Sequence, residues 1–303
     1  MGDRVVLLSG GTGGAKLARG LAELTDELTV IANTGDDVDA YGVHVSPDPD
    51  LVTWWLADEI DEERGYGLRG DSWRVMEELE AAGRTIWFRL GDRDLAMCLV
   101  RTERLRAGHR LTEAHGAVVE AMGVRSRVLP MSDQRVATWV GAGGRKLPFQ
   151  EFMIVDRAKG PIDAVELRGI HRARPSDDAL AALAEADVIL IGPSNPVISI
   201  GPILALPGMR EAVRSATAPV VAVSPFVGGE TLKGPTDDFC AFAGIETNAQ
   251  GIAGAYGDLL EGLVADEEVE GIPALVCDTL MADASSRVTV ATNTLEFAVK
   301  LAG

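Results

Sequence analysis

Ser9-Gly10-Gly11-Thr12-Gly13-Gly14-Ala15-Lys16 is the stretch whose reading decides the fold. Leading into it, Arg4-Val5-Val6-Leu7-Leu8 is an apolar run of strand length. Beyond it, Leu17, Leu21 and Leu24 recur at helical spacing from Ala15 to Leu24, so the glycines join a buried strand to a helix. Glycine lets backbone approach a ligand closely, and the positive end of the following helix favours a phosphate. Lys16 can add a full charge to the same anion. The pattern is not a Walker loop, because Ala15 precedes Lys16 and Leu17 follows it. Nor is it the dinucleotide fingerprint in register: Gly11 and Gly13 are spaced correctly, but Lys16 holds the third glycine position. The residues leave open a phosphate cradle and a bare glycine-rich turn.

Working outward, Leu28-Thr29-Val30-Ile31-Ala32 is a second strand, ending in Asn33-Thr34-Gly35-Asp36-Asp37. Strand, helix, strand in that order predicts a parallel sheet with a ligand crevice at the strand C-termini. Asp36 and Asp37 stand about twenty residues past the glycine loop, where a ribose-binding acid would sit; a metal and a turn cap are equally open readings. In Ser46-Pro47-Asp48-Pro49-Asp50 the prolines hold the backbone extended and Asp50 is a candidate N-cap, predicting a helix from about Leu51 to Ile60. Trp54 to Gly123 is mostly helical in pattern and contains the charge-dense run Phe88-Arg89-Leu90-Gly91-Asp92-Arg93-Asp94. Arg127-Val128-Leu129 returns to strand before Pro130-Met131-Ser132-Asp133, and a hairpin is predicted from Ala137–Val140 and Phe152–Val155. Asp187-Val188-Ile189-Leu190-Ile191 is a buried strand ending in Gly192-Pro193-Ser194-Asn195-Pro196. Pro219 to Val223 is the next and turns at Ser224 to Gly229; Ala274 to Cys277 is a further strand, and Thr292 to Leu301 closes the chain as a helix. The fold class is therefore α/β: one Rossmann-like domain over residues 1–303, with a mainly parallel sheet and helices on both faces. A mostly helical insertion falls at about 51–125.

With 46 acidic residues against 28 basic ones, the net charge is −18, and the basic set holds only five Lys. Such a surface repels nucleic acid and anionic membranes, so a polyanion partner is not expected. Abundant carboxylates with scarce lysine fit a halophilic cytoplasm, where salt screens self-repulsion, and fit equally a GC-rich genome that favours Arg codons. Cys98, Cys240 and Cys277 form no C-x-x-C and read as thiols of a reducing cytosol. No signal-peptide pattern follows Met1-Gly2-Asp3-Arg4 and no run reaches membrane-spanning length, which together predict a cytoplasmic protein.

The four histidines, His44, His109, His115 and His171, have no metal-ligand spacing and read as packed or surface residues. Carboxylates cluster beside the loops instead: Asp36, Asp37, Asp48, Asp50, Asp92, Asp94 and Asp133. Hard carboxylates near a phosphate cradle suit Mg²⁺ and point to transfer at phosphorus. At least half of these acids are expected to cap helices or pair with Arg89, Arg93 and Arg101 instead.

Taken in order, these motifs resemble the 2-phospho-L-lactate transferases of deazaflavin biosynthesis. The matching pieces are Ser9-Gly10-Gly11-Thr12-Gly13, Asn33-Thr34-Gly35-Asp36-Asp37, Ser46-Pro47-Asp48-Pro49-Asp50 and Leu90-Gly91-Asp92-Arg93-Asp94. They continue through Leu129-Pro130-Met131-Ser132-Asp133, Phe149-Gln150-Glu151-Phe152, Ile191-Gly192-Pro193-Ser194-Asn195-Pro196 and Ser199-Ile200-Gly201-Pro202-Ile203. Pro49 departs from the Leu of the family's P-D-L-D stretch but leaves both flanking acids in place.

The resemblance implies transfer of a phospholactyl group from lactyl-2-diphospho-5′-guanosine to the deazaflavin alcohol Fo (7,8-didemethyl-8-hydroxy-5-deazariboflavin), releasing GMP and forming coenzyme F(420)-0. Bacterial relatives use the phosphoenolpyruvyl analogue as donor. It also implies Mg²⁺, a homodimer, and Fo contacts at Asp50 and Arg89. On that footing Gly10, Gly11, Thr12, Gly13 and Lys16, with Gly192, Ser194 and Asn195, would hold the guanosine diphosphate half. Asp36, Asp48 or Asp50 would carry Mg²⁺, and Asp50 is the catalytic candidate, orienting or deprotonating the attacking hydroxyl. Trp54, Trp55, Trp73 or Trp87 would give the flat ring an apolar wall. Two other classes compete. A dinucleotide-dependent oxidoreductase would account for the first turn but lacks the third glycine. A non-catalytic nucleotide-sugar-binding regulator of the gluconeogenesis-factor type shares the opening loop.

The acidic surface generates one test: if the protein is halophilic, its melting temperature should rise steadily from dilute buffer to molar KCl as screening relieves self-repulsion. An unchanged melting temperature would leave the GC-rich codon explanation standing.

Overall fold

In the computed structural model, which describes residues 3–228, 230–231 and 234–302, the alternating strands assemble into one parallel sheet. Among the described residues its seven strands, numbered along the chain, are β1 (Val5–Ser9), β2 (Leu28–Ala32), β3 (Arg127–Pro130), β4 (Val188–Ile191), β5 (Val220–Val223), β6 (Gly262–Ala265) and β7 (Ala274–Val276). Their spatial order is 7-6-5-4-1-2-3, with every neighbouring pair parallel. Gly229, the last residue of the turn expected after β5, lies outside the described residues, as do Met1 and Gly2.

A strand buried on both faces is apolar at every position rather than at alternate ones, and β1 shows why. Val5 and Leu7 join the core beneath α1 (Gly11–Leu21), α2 (Pro47–Leu56) and the helix Ala284–Ala302. Val6 and Leu8 join the opposite core, with Leu183, Ile203, Met209 and Ile252 from four helices of the second half. Each such fully buried side chain contributes roughly 1.5–3 kcal/mol. The strand order reverses between β1 and β4, so the loops after these two strands diverge to opposite sides and leave a crevice between them.

That crevice explains the glycines of the first turn. A Cβ on Gly13 would lie 2.0 Å from the Pro193 carbonyl oxygen, and one on Gly14 would lie 2.3 Å from Ser9 Oγ. A Cβ on Gly192 would meet the Gly14 Cα at 3.0 Å. These glycines let the start of α1 press against the end of β4, so the close approach they permit is to protein. Gly11, at φ +65°, takes the left-handed backbone that L side chains rarely adopt.

Between β2 and β3 the chain forms the hairpin Val38–Ala40 with Val43–Val45, then α2, α3 (Arg74–Ala81), α4 (Asp92–Arg106) and α5 (Leu111–Ala121). Helix α2 begins at Pro47, four residues before the predicted start. Proline is well placed at a first helical position, where its missing N–H has no partner to lose. Asp50 therefore lies inside the first turn and is not the N-cap. Trp54 and Trp55 are buried in the main core, whereas Trp73 and Trp87 flank a small core of Val43, Val45, Met76, Leu90 and Cys98.

The charge-dense run has a structural job. Asp92, in the first turn of α4, accepts the Arg74 and Val75 N–H groups at the start of α3, at 3.3 and 3.0 Å. In return Asp71, just before α3, accepts the Arg93 and Asp94 N–H groups at the start of α4, at 3.0 and 3.1 Å. Each helix thus caps the other, and Gly91 is glycine because a Cβ there would sit 2.1 Å from Asp71 Oδ2.

After β3, Ala137–Ala142 pairs with Arg145–Pro148 on one side and Ile162–Arg168 on the other. The hairpin's second arm is thus Arg145–Pro148, and Phe152–Val155, expected to supply it, falls at the end of the short helix Phe149–Ile154 and just past it. Gly143 and Gly144, both at positive φ, close the turn earlier than expected. Strand β6 was not expected, and the closing helix starts at Ala284, well before Thr292.

The close contact at Gly13 yields a stability test. Gly13→Ala should cost about 1–3 kcal/mol by overpacking. Gly116→Ala, in α5 with open space where the Cβ would go, should be neutral or gain up to about 1 kcal/mol. Urea denaturation of the two variants checks the contrast, and equal stabilities would remove the packing explanation.

Candidate active site

The crevice at the β1–β4 junction opens into a cavity of about 320 Å³. Gly10, Gly11, Thr12, Gly13 and Lys16 line one wall, and Ser194, Asn195 and Ser199 line the facing one. Thr279 and Met281, from the segment after β7, close a third side. All the residues expected to hold a nucleotide are gathered here except Gly192, which packs beneath on Gly14. Buried around this space are polar atoms with no hydrogen-bond partner among the described residues: Ser9 Oγ, Ser194 Oγ, Asn195 Nδ2 and Thr279 Oγ1. A buried polar atom left unpaired costs about 1–3 kcal/mol, so this wall is built for a polar occupant. Lys16 donates to the Met281 carbonyl oxygen at 2.7 Å and lies 5.8 Å from the centre of the Trp55 ring, which ties the third wall to α1.

The start of α1 has no side-chain cap of its own at Gly10. Asp48, from the first turn of α2, supplies one across the fold: its Oδ1 accepts the Gly11 N–H at 2.6 Å. Asn33, at the end of β2, donates to Asp48 Oδ2 at 3.0 Å and reaches Asp36 Oδ1 at 3.5 Å. Gln150 donates to the other oxygen of Asp36 at 2.9 Å. Both acids are buried. Burial pushes Asp48 up to about 6, and burial together with the charges of Asp48 and Asp37 holds Asp36 well above the usual carboxylate range. Two adjacent buried carboxylates without a salt-bridge partner among the described residues are short of positive charge.

Asp50 has a different environment, although it lies only two residues further on. Arg101, fully buried on α4, grips it with both arms of its guanidinium, at 2.6 Å to Oδ1 and 2.8 Å to Oδ2. The structure therefore separates Asp50 from the expected metal set: Asp36 and Asp48 are brought together, and Asp50 is committed to an arginine. Its side chain keeps 8% of its surface exposed and does not line the cavity. Arg89 is half exposed and touches Glu77 at 3.8 Å and the Trp73 ring at 5.7 Å. Trp55 and Trp54, being core residues, offer no free face, so of the four tryptophans only Trp73 and Trp87 stay partly exposed.

Asp94 sits near Asp50, with Oδ1 buried and unpaired. Burial, with the charges of Asp50 and Asp71, pushes it up to about 7. Asp37 is held by Ser46 Oγ at 2.7 Å and by His44 Nε2 at 3.0 Å, and so serves the insertion rather than a ligand. Thr279 and Met281 carried no sequence signal, because they reach the site only through the packing of the segment after β7. Asn33 and Gln150 stood within quoted motifs, yet their amides gain meaning only once the two acids are seen between them.

The 2-phospho-L-lactate transferase CofD family model matches residues 5–295. A phosphoenolpyruvate transferase of Kitasatospora aureofaciens is 42% identical over 97% of this chain and 98% of that protein. A 2-phospho-L-lactate transferase of Methanopyrus kandleri is 40% identical over the full length of both. Among solved structures, a UPF0052-family protein of Bacillus halodurans superposes with a TM-score of 0.63 at 18% identity, covering 97% of this chain and 100% of that one, a likeness of fold.

Asp94 gives a pH test. Its folded value lies above the unfolded one of about 4, so the folded state binds the proton more tightly and loses stability as pH rises through that window. Asp94→Asn carries no such penalty. Its stability relative to wild type should match near pH 4 and improve by on the order of 1–3 kcal/mol above about pH 7. Urea denaturation at stepped pH checks this, and parallel curves for the two proteins would contradict it.

Proposed function

The chain belongs to the 2-phospho-L-lactate transferase CofD family, and from that premise we propose that it joins a guanosine-diphosphate-linked three-carbon acid to the deazaflavin alcohol Fo. The donor carries either a lactyl or a phosphoenolpyruvyl group; relatives bear both names. Membership of this transferase family sets aside the non-catalytic regulator and the oxidoreductase. The observation that carries the reading is the cavity at the strand-order reversal. It combines a glycine-rich helix start, unpaired Ser194, Asn195 and Thr279 atoms, and a buried pair of acids against one wall.

In this reading the diphosphate lies along Gly10 to Gly13, with Lys16 at the wall, and the nucleoside half extends past Ser194 and Asn195. The donor set fits Mg²⁺: Asp36 and Asp48 are hard oxygen ligands with no counter-charge among the described residues, and Mg²⁺ is usually bound by one or two carboxylates plus substrate phosphates. Among the described residues no group of three or more metal-ligating side chains stands ready, so the remaining ligands would be substrate and water. When bound there, Mg²⁺ supplies positive charge to the diphosphate oxygens and to departing GMP.

The primary hydroxyl of Fo attacks the phosphorus bearing the three-carbon acid. A new phosphorus–oxygen bond forms, the bond to GMP breaks, and the hydroxyl proton passes to solvent water. Asp50 accepts a hydrogen bond from that hydroxyl and aims it, its carboxylate held in place by both arms of the Arg101 guanidinium. Arg89, exposed beside Trp73, meets the acceptor from the insertion side. Holding the reactants in line supplies most of the acceleration, as in other phosphoryl transfers.

The experiment is to incubate the protein with Fo, Mg²⁺ and each donor in turn, following GMP and the new phosphodiester together. Asp50→Asn should fold and bind GDP but turn over roughly a hundredfold more slowly. Mg²⁺ should raise the melting temperature of the wild type and do so less for Asp36→Asn, since a ligand stabilises only the state that binds it. Failure to release GMP from either donor would defeat the assignment.

A further inference from the structure

Arg101 is the one arginine whose side chain is 0% exposed in the described ion pairs, and its guanidinium does more than neutralise Asp50. It donates to the His44 carbonyl oxygen at 3.0 Å and to His115 Nδ1 at 3.3 Å. Burial pushes His115 down to about 3, so its ring is neutral. An arginine can only donate, so His115 Nδ1 accepts and the ring proton sits on Nε2. That proton points at Thr53 Oγ1, 3.2 Å away, and the Thr53 hydroxyl in turn donates to the Pro49 carbonyl oxygen at 2.8 Å. A single chain of hydrogen bonds thus leaves Arg101 and returns to the residue before Asp50. The guanidinium fixes the carboxylate directly, and through His115 and Thr53 it fixes the backbone turn from which that carboxylate projects.

We propose that Arg101 is a positioning residue for the acceptor alcohol, acting through Asp50 by clamping both its carboxylate and the Pro49–Asp50 turn of α2. This rests on the reading above that Asp50 meets the acceptor. A bidentate grip occupies one side of the carboxylate and leaves the outer lone pairs of its oxygens for an incoming hydroxyl. Such a grip needs the planar fork of arginine, and lysine, with its single ammonium, cannot hold both oxygens and the two further acceptors in one plane. The nucleotide wall is built from Gly10 to Lys16 and Ser194 to Asn195, none of which Arg101 touches, so the effect should fall on the acceptor side alone.

The test compares Arg101→Lys, Thr53→Val, Asp50→Asn and the double variant Asp50→Asn with Arg101→Lys. Acceptor and donor kinetics are measured for each, with GDP affinity by calorimetry as the control for folding. Arg101→Lys should lower kcat/KM for Fo by roughly tenfold to a hundredfold, with GDP affinity within about twofold of wild type. Thr53→Val, the milder break at the far end of the chain, should show a smaller defect of the same kind. In the Asp50→Asn background, adding Arg101→Lys should cause little further loss, because residues acting as a unit are non-additive. Wild-type Fo kinetics in both Arg101→Lys and Thr53→Val, beside a slow Asp50→Asn, would overturn the positioning role alone. Wild-type turnover in Asp50→Asn would overturn the role of Asp50 and this proposal with it. Equal losses of GDP affinity and Fo turnover would show damage to the whole fold and would also overturn it.

Discussion

No side chain fits between the first turn of α1 and the loop after β4, and the site is arranged around that constraint. Gly13 meets the Pro193 carbonyl, Gly14 meets Ser9, and Gly192 meets Gly14. With both chain segments pressed together at the reversal of strand order, the backbone that follows each one is forced outward. The space between them becomes the cavity. The glycines therefore shape the floor, and the polar atoms of Ser194, Asn195 and Thr279 supply what a ligand would feel.

Helix α2 then ties the insertion to this floor. Its first turn presents two acids in opposite electrostatic states, a difference set by what each side chain faces. Asp48 turns toward the start of α1 and another acid and is short of positive charge. Asp50 turns toward α4, where a guanidinium holds both of its oxygens. Neighbours in sequence are thereby sorted into a candidate cation ligand and an oriented hydrogen-bond acceptor by packing alone.

Much of this was legible in the sequence. Continuous apolar runs at Val5–Leu8 and Val188–Ile191 announced strands buried on both faces, and the glycine loop marked the place where β1 gives way to α1. That Gly10 to Gly13, Lys16, Ser194 and Asn195 line one cavity followed from their places directly after strands. What escaped depended on tertiary contact. Strand β6 is a four-residue run opening on glycine, and it is fixed as a strand by pairing with β5 and β7. Phe149–Ile154 carries apolar residues without a period that separates strand from helix. The ion pair between Asp50 and Arg101 spans 51 positions, and nothing local in either segment says which of several nearby arginines an aspartate will choose. Capping was among the roles expected for Asp92, but its reciprocal partner Asp71 was not legible, because it belongs to a different turn.

The reciprocal capping of α3 and α4 has a consequence for how this chain can change over time. Loss of Asp71 strips the start of α4, and loss of Asp92 strips the start of α3, so each substitution is felt in the neighbouring helix more than in its own. Gly91 is bound into the same arrangement, since any larger residue would collide with Asp71. Three positions therefore form an epistatic unit. A lineage that abandons one gains little by keeping the others, and the arrangement is most easily inherited whole or rebuilt whole.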